Sequence, residues 1–368
     1  MKILFLGGAG EMAAAMLPLM RDDKKIKLVT IADLDEGRAQ AKAKEYGDKF
    51  AAAGLDATDH GAMVEAMKAH DAVVNYVGPF YKFEKPCAEA AVDAGVHYVS
   101  IADDYDAYLS VRTLEEKAKK AKVKILTGFG NSPGLTQVLA LKGYKSMDNP
   151  QDIAVNWGAG SNEAVGPANI LHVMHFMNGT TIQWQDGAYA AVRAGEGRKM
   201  IEFPDPIGKI PVFYTGHAES VSIPQNLPGL RNVSLHGGCV PTWIFPFAAW
   251  MSKVGVTKTH RRRLRLQKAL EPFMSVFASE SDPDKSVGRV EIWGTHKGEP
   301  VYRYYTYVGH IADITSIPCF VAIKWVLEGK FDKKPGGVYS AERLLDNPDP
   351  FLQELKRRGM EIEYENEK

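Results

Sequence analysis

Cysteine is scarce in this chain, and its scarcity excludes two kinds of protein. The 368 residues include three cysteines, Cys87, Cys239 and Cys319. They are too few and too scattered for a disulfide framework, and none has Cys-x-x-Cys or other metal-ligand spacing. We therefore expect three separate buried thiols, a reducing cytoplasm and no bound metal.

Excess charge of either sign is also missing. Lys and Arg together number 45, as do Asp and Glu, so the formal net charge is zero. Without a strong positive field the chain has little to hold a polyanion, and we expect no nucleic-acid partner. The basic run at residues 260–265 is then interpreted as the solvated face of a helix.

Long hydrophobic runs are absent from the sequence. No segment reaches the roughly 18 apolar residues that span a bilayer, so no membrane partner is expected. The N-terminal run from Ile3 to Leu6 is interrupted by glycine after four residues, which is short for the hydrophobic region of a signal peptide. A buried first strand explains it better.

The first 130 residues alternate between two textures. Short apolar runs lie at residues 3–6, 28–32, 72–77, 98–101 and 123–126. Runs of this kind suit parallel strands buried on both faces, and the Ala-, Lys- and Glu-rich stretches between them have helical length and composition. The alternation predicts an α/β domain with a doubly wound parallel sheet.

The rest of the chain predicts a second domain. A length of 368 residues exceeds what one core usually serves. Beyond the Gly-Phe-Gly-Asn-Ser-Pro-Gly segment at 128–134 the chain is less regular and richer in Gly, Pro and aromatics, as expected of an α+β domain for substrate binding and dimerisation. The helical spacing of apolar residues from Ser316 to Gly329 predicts a segment that returns to the first domain. The predicted boundaries are 1–132, 133–315 and 316–368, with second-domain strands at 153–157, 212–214, 219–223, 290–294 and 301–308.

A glycine motif directly follows the first apolar run. Gly8 and Gly10 precede Ala13, where an Ala- and Met-rich helix is expected to begin. In this context Gly8 permits a tight turn, Gly10 lets the backbone approach a pyrophosphate, and Ala13 allows close helix–strand packing. The first helical N–H groups, at Glu11 and Met12, then favour the anion. The motif therefore predicts a Rossmann domain that binds a dinucleotide.

An acidic residue ends the second predicted strand and indicates which dinucleotide is bound. Asp33 lies 25 residues after Gly8, where a carboxylate accepts hydrogen bonds from the adenosine ribose and repels a 2′-phosphate. Leu34 follows it, and no Arg is adjacent to neutralise such a phosphate. NAD is therefore expected in preference to NADP. Asp35 is an alternative holder of this role, or the cap of a helix that begins at Glu36.

Two more strand ends complete the predicted cofactor crevice. Asp56 and Ala57 follow the third strand, where such residues border the adenine. Gly78 and Pro79 follow the fourth, where the backbone can lie against the nicotinamide-side ribose. Ligands of open α/β sheets bind outside the carboxyl ends of the strands, so the four strand ends agree on one site.

The order of these motifs resembles the saccharopine dehydrogenase-like family. The resemblance covers about the first 140 residues and is loose beyond them. It rests on Gly8-x-Gly10, Asp33, Asp56-Ala57-Thr58, Asn75-x-x-Gly78-Pro79-Phe80, Gly95-Val96-His97-Tyr98 and Gly128-Phe129-x-x-x-Pro133-Gly134.

The resemblance implies an oxidoreductase of amino acid metabolism. It would interconvert a C–N single bond and an imine of an amino-acid or polyamine-like substrate with a nicotinamide cofactor. The sequence departs from the family at Ser100, where many relatives carry Asp after the His-Tyr-Val stretch. Asp103 and Asp104 are the candidates to take that carboxylate's place.

Oxidation of an amine requires a group that accepts its proton. Asp103 and Asp104 follow the fifth strand and are the predicted catalytic residues, although either could instead cap the helix expected near Ala107. The predicted substrate-binding residues are Tyr98, Asn131 and Arg303, the last because a guanidinium pairs with a carboxylate in bidentate fashion. A homodimer is expected.

Two other functions stay open at this point. A semialdehyde dehydrogenase has a similar architecture, but it needs a nucleophilic Cys near the domain junction, and no cysteine lies at 128–140. A non-catalytic dinucleotide-sensing protein would bind the cofactor without turnover, since a fold alone does not establish catalysis.

Overall fold

A computed structural model describes residues 1–163, 167–270 and 282–367. The chain divides into two compact units. The first contains Met1–Leu135 and Ala312–Asp346, and the second contains Thr136–Ile311 and Asn347–Lys368. Within the described residues, no helix combines the length and apolar character needed to cross a bilayer.

The first unit is built on a seven-stranded sheet in which every neighbouring pair of strands is parallel. The strands are β1 (Lys2–Leu6), β2 (Leu28–Asp33), β3 (Phe50–Gly54), β4 (Ala72–Asn75), β5 (His97–Ser100), β6 (Lys124–Leu126) and β15 (Gly337–Tyr339). Their spatial order is β15-β6-β5-β4-β1-β2-β3. The central strands β1 and β4 are almost wholly buried, as their continuous apolar runs predict.

The helices of the first unit connect these strands. They are a 3-10 helix (Glu11–Ala15), α1 (Met16–Asp22), α2 (Glu36–Tyr46), α3 (His60–Lys68), α4 (Phe80–Ala94), α5 (Tyr105–Arg112), α6 (Glu115–Ala121), α12 (Ile311–Leu327) and α13 (Ala341–Leu344). Asp35 caps α2 by accepting a hydrogen bond from the Arg38 N–H. α4 ends at Gly95, which has the left-handed φ of +74° that favours glycine at a helix C-terminus.

The second unit holds a nine-stranded mixed sheet. Its strands are β7 (Asn149–Gly160), β8 (Thr180–Gln185), β9 (Ala188–Arg193), β10 (Lys199–Glu202), β11 (Lys209–Tyr214), β12 (Asn232–Val240), β13 (Ser286–His296), β14 (Glu299–Gly309) and β16 (Glu361–Glu367). The main path of the sheet is β10-β11-β12-β7-β13-β14-β16. The remaining helices are α7 (Leu135–Lys145), a 3-10 helix (Ser161–Glu163), α8 (Pro167–Phe176), α9 (Glu219–Asn226), α10 (Ile244–Lys253), α11 (His260–Leu270) and α14 (Asp349–Arg357).

The predicted fold class is confirmed. A parallel doubly wound sheet forms the first domain, a mixed sheet with helices forms the second, and α12 with β15 returns to the first unit. All three cysteines are free and buried.

Two sequence expectations were wrong in detail. Residues 219–223 were predicted as a strand but begin α9, whose first five residues are all buried. The polar residues of this segment can be buried in a helix because they have hydrogen-bond partners in the same unit. Glu219 Oε1, for example, accepts from the Thr136 hydroxyl at 2.7 Å. Residues 347–368, expected to pack on the first domain, belong to the second unit, because β16 pairs with β14.

Candidate functional site

The glycine loop lies between β1 and the first 3-10 helix. Gly7 has the left-handed φ of +70°, and a Cβ added there would lie 2.9 Å from the Tyr76 carbonyl carbon. Gly7 N donates to Ala32 O at 2.8 Å. The loop therefore depends on a glycine at position 7, because it turns there against the end of β4.

The predicted motif residues take somewhat different roles from those expected. The tight turn falls on Gly7 rather than on Gly8, whose added Cβ would meet the Phe5 ring at 3.0 Å. At Gly10 an added Cβ would have Gly7 O, at 3.3 Å, as its one neighbour within 4 Å in the described part of the chain. Ala13 is fully buried. Space thus remains beside Gly10 for a pyrophosphate.

The helix after the loop begins as a 3-10 turn, Glu11–Ala15, and continues as α1. Glu11 and Met12 occupy its first two positions, where backbone N–H groups have no acceptor inside the helix. From the returning helix, the Ser316 hydroxyl donates to Met12 O at 3.4 Å and accepts from the Tyr76 hydroxyl at 3.0 Å. α12 therefore joins the glycine loop to the turn after β4.

Two charged side chains, Asp33 and Arg38, belong to the end of β2 and to the first turn of α2. Asp33 is half-buried, and its Oδ1 accepts from the Asp35 N–H at 3.1 Å. The Arg38 guanidinium donates to Ala9 O, in the glycine loop, at 3.0 Å. This arginine is five residues beyond Asp33 and was not expected at the site; the first turn of α2 brings it to the loop.

The ends of β3 and β4 form turns fixed by their own side chains. Asp56 Oδ1 accepts from the N–H and from the hydroxyl of Thr58, both at 2.8 Å, and the backbone hydrogen bond is the main cause that lowers the pKa of Asp56. Ala57 lies in this turn. After β4, Gly78 and Pro79 are joined by a cis peptide bond directly before α4. Both turns follow the carboxyl ends of their strands, as predicted.

Asp103 and Asp104 precede α5. Asp104 is the N-cap residue, but its side chain makes no capping hydrogen bond to α5. Its Oδ2 instead accepts from the Tyr81 N–H of α4 at 3.3 Å. Asp103 is half-buried and Asp104 is buried. The carboxylate of Asp104 thus holds the beginning of α4, two residues beyond Pro79.

Tyr98 does not have the surroundings predicted for it. Its ring is fully buried, and its hydroxyl donates to Glu84 Oε2 and accepts from Asn75 Nδ2, both at 2.7 Å. Burial raises the pKa of Tyr98 well above its ordinary value. Because this hydroxyl is occupied inside the domain, the expected substrate contact of Tyr98 is not supported. The Ser100 hydroxyl also contacts Glu84, so Glu84 is a further candidate for the carboxylate that relatives carry at that position.

The other two predicted substrate residues lie in different units. Asn131 is buried in a closed loop, in which Leu135 N donates to Gly130 O at 2.9 Å. The Oδ1 atom of Asn131 has no hydrogen-bond partner among the residues that the structure describes. Arg303 lies on β14 of the second unit and interacts with the Tyr305 hydroxyl.

Comparison with known proteins agrees with this geometry. Residues 3–126 match the family model of the saccharopine dehydrogenase NADP binding domain. The chain is similar in structure to saccharopine dehydrogenase (L-Glu forming) from Saccharomyces cerevisiae, with a TM-score of 0.71 and 18% identity over 100% of both chains.

Two other solved structures share the fold more distantly. One is an engineered D-amino acid dehydrogenase bound to NADP+, with a TM-score of 0.53 and 12% identity over 98% of this chain and 99% of that one. The other is C. glutamicum DAP dehydrogenase in complex with DAP, with a TM-score of 0.50 and 13% identity over 98% and 99%.

The glycine loop, the acid after β2 and the family match together identify the first domain as one that binds a nicotinamide dinucleotide. Residues 3–126 thus form a domain of the saccharopine dehydrogenase NADP binding type, and the whole chain shares the fold of the yeast saccharopine dehydrogenase.

Proposed function

We propose that this protein transfers a hydride between a nicotinamide dinucleotide and a C–N bond of an amino-acid or polyamine-like substrate. The observation that carries the proposal is the first unit itself, a saccharopine dehydrogenase-type NADP-binding domain with space beside Gly10. A nicotinamide dinucleotide held beside the glycine loop would supply the acceptor for the hydride that leaves the amine carbon in the oxidative direction. The amine nitrogen releases a proton to the protein, and an imine results.

Asp103 is the residue proposed to receive that proton. It follows β5 at the ligand-binding edge of the sheet, and it is more accessible than Asp104. The Asp104 carboxylate, bonded to the Tyr81 N–H, is proposed to hold the start of α4. Asn131 and Arg303 remain proposed contacts of the substrate.

NAD is proposed as the preferred cofactor because Asp33 ends β2, where a carboxylate is suited to accept hydrogen bonds from the adenosine ribose. The name of the matching domain family points to NADP, and Arg38 is a cation that could serve a 2′-phosphate. The preference between NAD and NADP is therefore proposed to depend on the opposed effects of Asp33 and Arg38. A homodimer and a cytoplasmic location are kept as predictions.

The state of the cysteines disfavours a semialdehyde dehydrogenase. Such an enzyme attacks its substrate with a thiolate. Burial raises the pKa of Cys87 and of Cys239 to about 12 and that of Cys319 further, so the three thiols stay protonated near neutral pH.

The test is a spectrophotometric screen at the nicotinamide absorbance band. Purified protein is given NAD or NADP with a panel of L- and D-amino acids and polyamines. The reverse reaction is run with oxo acids, amines and reduced cofactor. We expect turnover with at least one C–N substrate. Cofactor binding without any turnover would favour the dinucleotide-sensing alternative, and turnover of aldehydes alone would contradict the proposal.

A further inference from the structure

Glu84 is a buried carboxylate that the proposed reaction does not use. It lies in the second turn of α4, and its side chain is fully buried. Oε1 accepts from the hydroxyls of Ser100 at 2.6 Å and Thr127 at 2.9 Å. Oε2 accepts from the Tyr98 hydroxyl at 2.7 Å and from Asn75 Nδ2 at 3.3 Å.

The four donors match the hydrogen-bonding capacity of an ionised carboxylate, which has about four acceptor sites and no proton to give. Burial raises the pKa of Glu84 above its ordinary value, and the hydrogen bonds from Ser100, Tyr98, Thr127 and Asn75 oppose that rise without cancelling it. Hydrogen bonds to a charged group are stronger than those between neutral groups. The arrangement is therefore a fully satisfied polar network inside an apolar domain, of the kind that fixes a local structure.

The donors come from three neighbouring strand ends. Asn75 is the last residue of β4, Ser100 is the last residue of β5, and Thr127 follows β6 directly. Glu84 reaches them from the helix that follows β4. One carboxylate thus ties together the carboxyl ends of β4, β5 and β6, on the half of the sheet away from the glycine loop's own helix.

The network continues from Asn75 into the turn after β4. Asn75 donates through Nδ2 to Glu84 and to the Tyr98 hydroxyl, which sets the direction of its amide. Its Oδ1 then accepts from the Val77 N–H at 2.9 Å. Val77 leads directly into Gly78 and Pro79. If the Asn75 amide turned over, its Nδ2 would face the Val77 N–H, and that hydrogen bond would be lost.

We propose that Glu84 is a positioning residue for the nicotinamide half of the dinucleotide site: it orients Asn75 and, through Asn75, the turn from Val77 to Pro79. This inference rests on the proposed function and on the expectation from the sequence that this turn lies against the nicotinamide-side ribose. The adenosine half of the site, formed by the glycine loop, Asp33 and the Asp56 turn, has no contact with Glu84 among the hydrogen bonds of the described residues.

The test compares NADH with ADP, which lacks both the nicotinamide ring and the ribose that carries it. Both ligands are titrated against wild-type protein and against Glu84→Gln, and thermal stability is measured in parallel. Gln keeps the shape of Glu84 but turns an NH₂ group toward donors. We expect a loss of roughly tenfold in NADH affinity, because a buried hydrogen bond is broken. ADP affinity should change by about twofold or less.

The matched control is Glu115→Gln. Glu115 is a largely buried carboxylate of the same unit, with 14% of its side chain exposed, and it pairs with Arg343 at 2.7 Å and with the Val338 N–H. Its loss should lower the thermal midpoint and leave both affinities unchanged. A general loss of stability is thereby separated from a selective loss at the nicotinamide.

Two further variants keep the test decisive if Glu84→Gln folds poorly. Tyr98→Phe removes one donor of the network and should weaken NADH selectively, by a smaller factor. In a Glu84→Ala background, Ser100→Asp returns a carboxylate to the same cluster and should restore part of the NADH affinity. Unchanged NADH affinity in Glu84→Gln, or equal losses for both ligands without rescue, would overturn the inference. Failure of the wild-type protein to bind either ligand would instead overturn the proposed function together with it.

Discussion

Single side chains at the end of β2 bear on the choice of cofactor in opposite directions. The Asp33 carboxylate is proposed to accept hydrogen bonds from the ribose hydroxyls and to repel a 2′-phosphate. The Arg38 guanidinium, which donates to Ala9 O at 3.0 Å, is the cation that would pair with such a phosphate. Neither effect could be weighed from the sequence, because the position of Arg38 depends on how α2 packs beside the loop.

Substitution at these two positions separates their contributions. Asp33→Ala should weaken NADH binding and narrow the preference for NADH over NADPH, because a ribose acceptor and a repelling charge are both lost. Arg38→Ala should weaken NADPH more than NADH. Fluorescence titration of both reduced cofactors against wild-type protein and the two variants measures the six dissociation constants. A wild-type protein that prefers NADPH would contradict the assignment to Asp33.

The pair Asp103 and Asp104 gives a second prediction for single residues. Asp103→Asn should lower turnover by roughly 10²- to 10⁴-fold, the usual cost of losing a general acid or base, with cofactor affinity retained. Asp104→Asn keeps an acceptor for the Tyr81 N–H and should chiefly change stability. Steady-state rates, cofactor titration and thermal midpoints are measured for both. Rates near the wild-type value in both variants would move the proton-handling group to the second unit, with its histidines examined next.

Among the elements, buried strands were the most predictable and buried polar positions the least. β1, β2, β4, β5 and β6 follow from continuous apolar runs, while β15, with the sequence Gly-Val-Tyr after Pro335 and Gly336, has no such run. The strand predicted at 219–223 is α9, because tertiary partners such as Thr136 satisfy its polar residues. The burial of Glu84 was not predicted, because a charged residue in a helix is ordinarily exposed. Its spacing to Cys87, Ala88 and Ala91, all buried, was the available signal, since these positions form one helix face.

The glycine loop gives a prediction at this scale, because two of its glycines have different reasons to be there. Gly10→Val should abolish dinucleotide binding and leave the fold largely intact. Its φ of −74° suits any residue, and the space it would fill is the approach of the pyrophosphate.

Gly7→Ala is the comparison variant for Gly10→Val. It should destabilise the domain by about 1–3 kcal/mol, because alanine is strained in the left-handed region and its Cβ would meet the Tyr76 backbone. Thermal unfolding and NADH titration of both variants distinguish the two effects. Normal dinucleotide binding by Gly10→Val would show that the phosphate site lies elsewhere.

For the molecule as a whole, histidines that lose water on folding make stability depend on acid. Burial lowers the pKa of the half-buried His70 and His97 in the first unit. In the second unit burial lowers the pKa of the buried His236 from 6.5 to about 2. Below pH 6.5 the unfolded chain protonates His236 and the folded chain does not, so the free energy of unfolding falls as the pH drops, by up to about 1.4 kcal/mol per pH unit from this residue.

His236 makes this effect testable, because its ring is only 4% exposed. In His236→Asn the group that cannot be protonated in the fold is gone, so stability should depend less steeply on pH between 6.5 and 4.5. At pH 8 the variant reports only the packing cost of the substitution. Urea unfolding at a series of pH values gives the two slopes. Parallel profiles of variant and wild type would contradict a neutral buried His236.

The first unit is formed by two segments that lie far apart in the chain, and this has a consequence for how the protein folds during synthesis. Residues 1–135 leave the ribosome first, yet β15, the edge strand that pairs with β6, comes from residues 337–339, after almost all of the second unit. Until then the backbone groups on the outer side of β6 have no strand to pair with. An open strand edge of this kind is a place where nascent chains associate wrongly. The first unit can therefore complete its sheet only after nearly the whole chain has been synthesised.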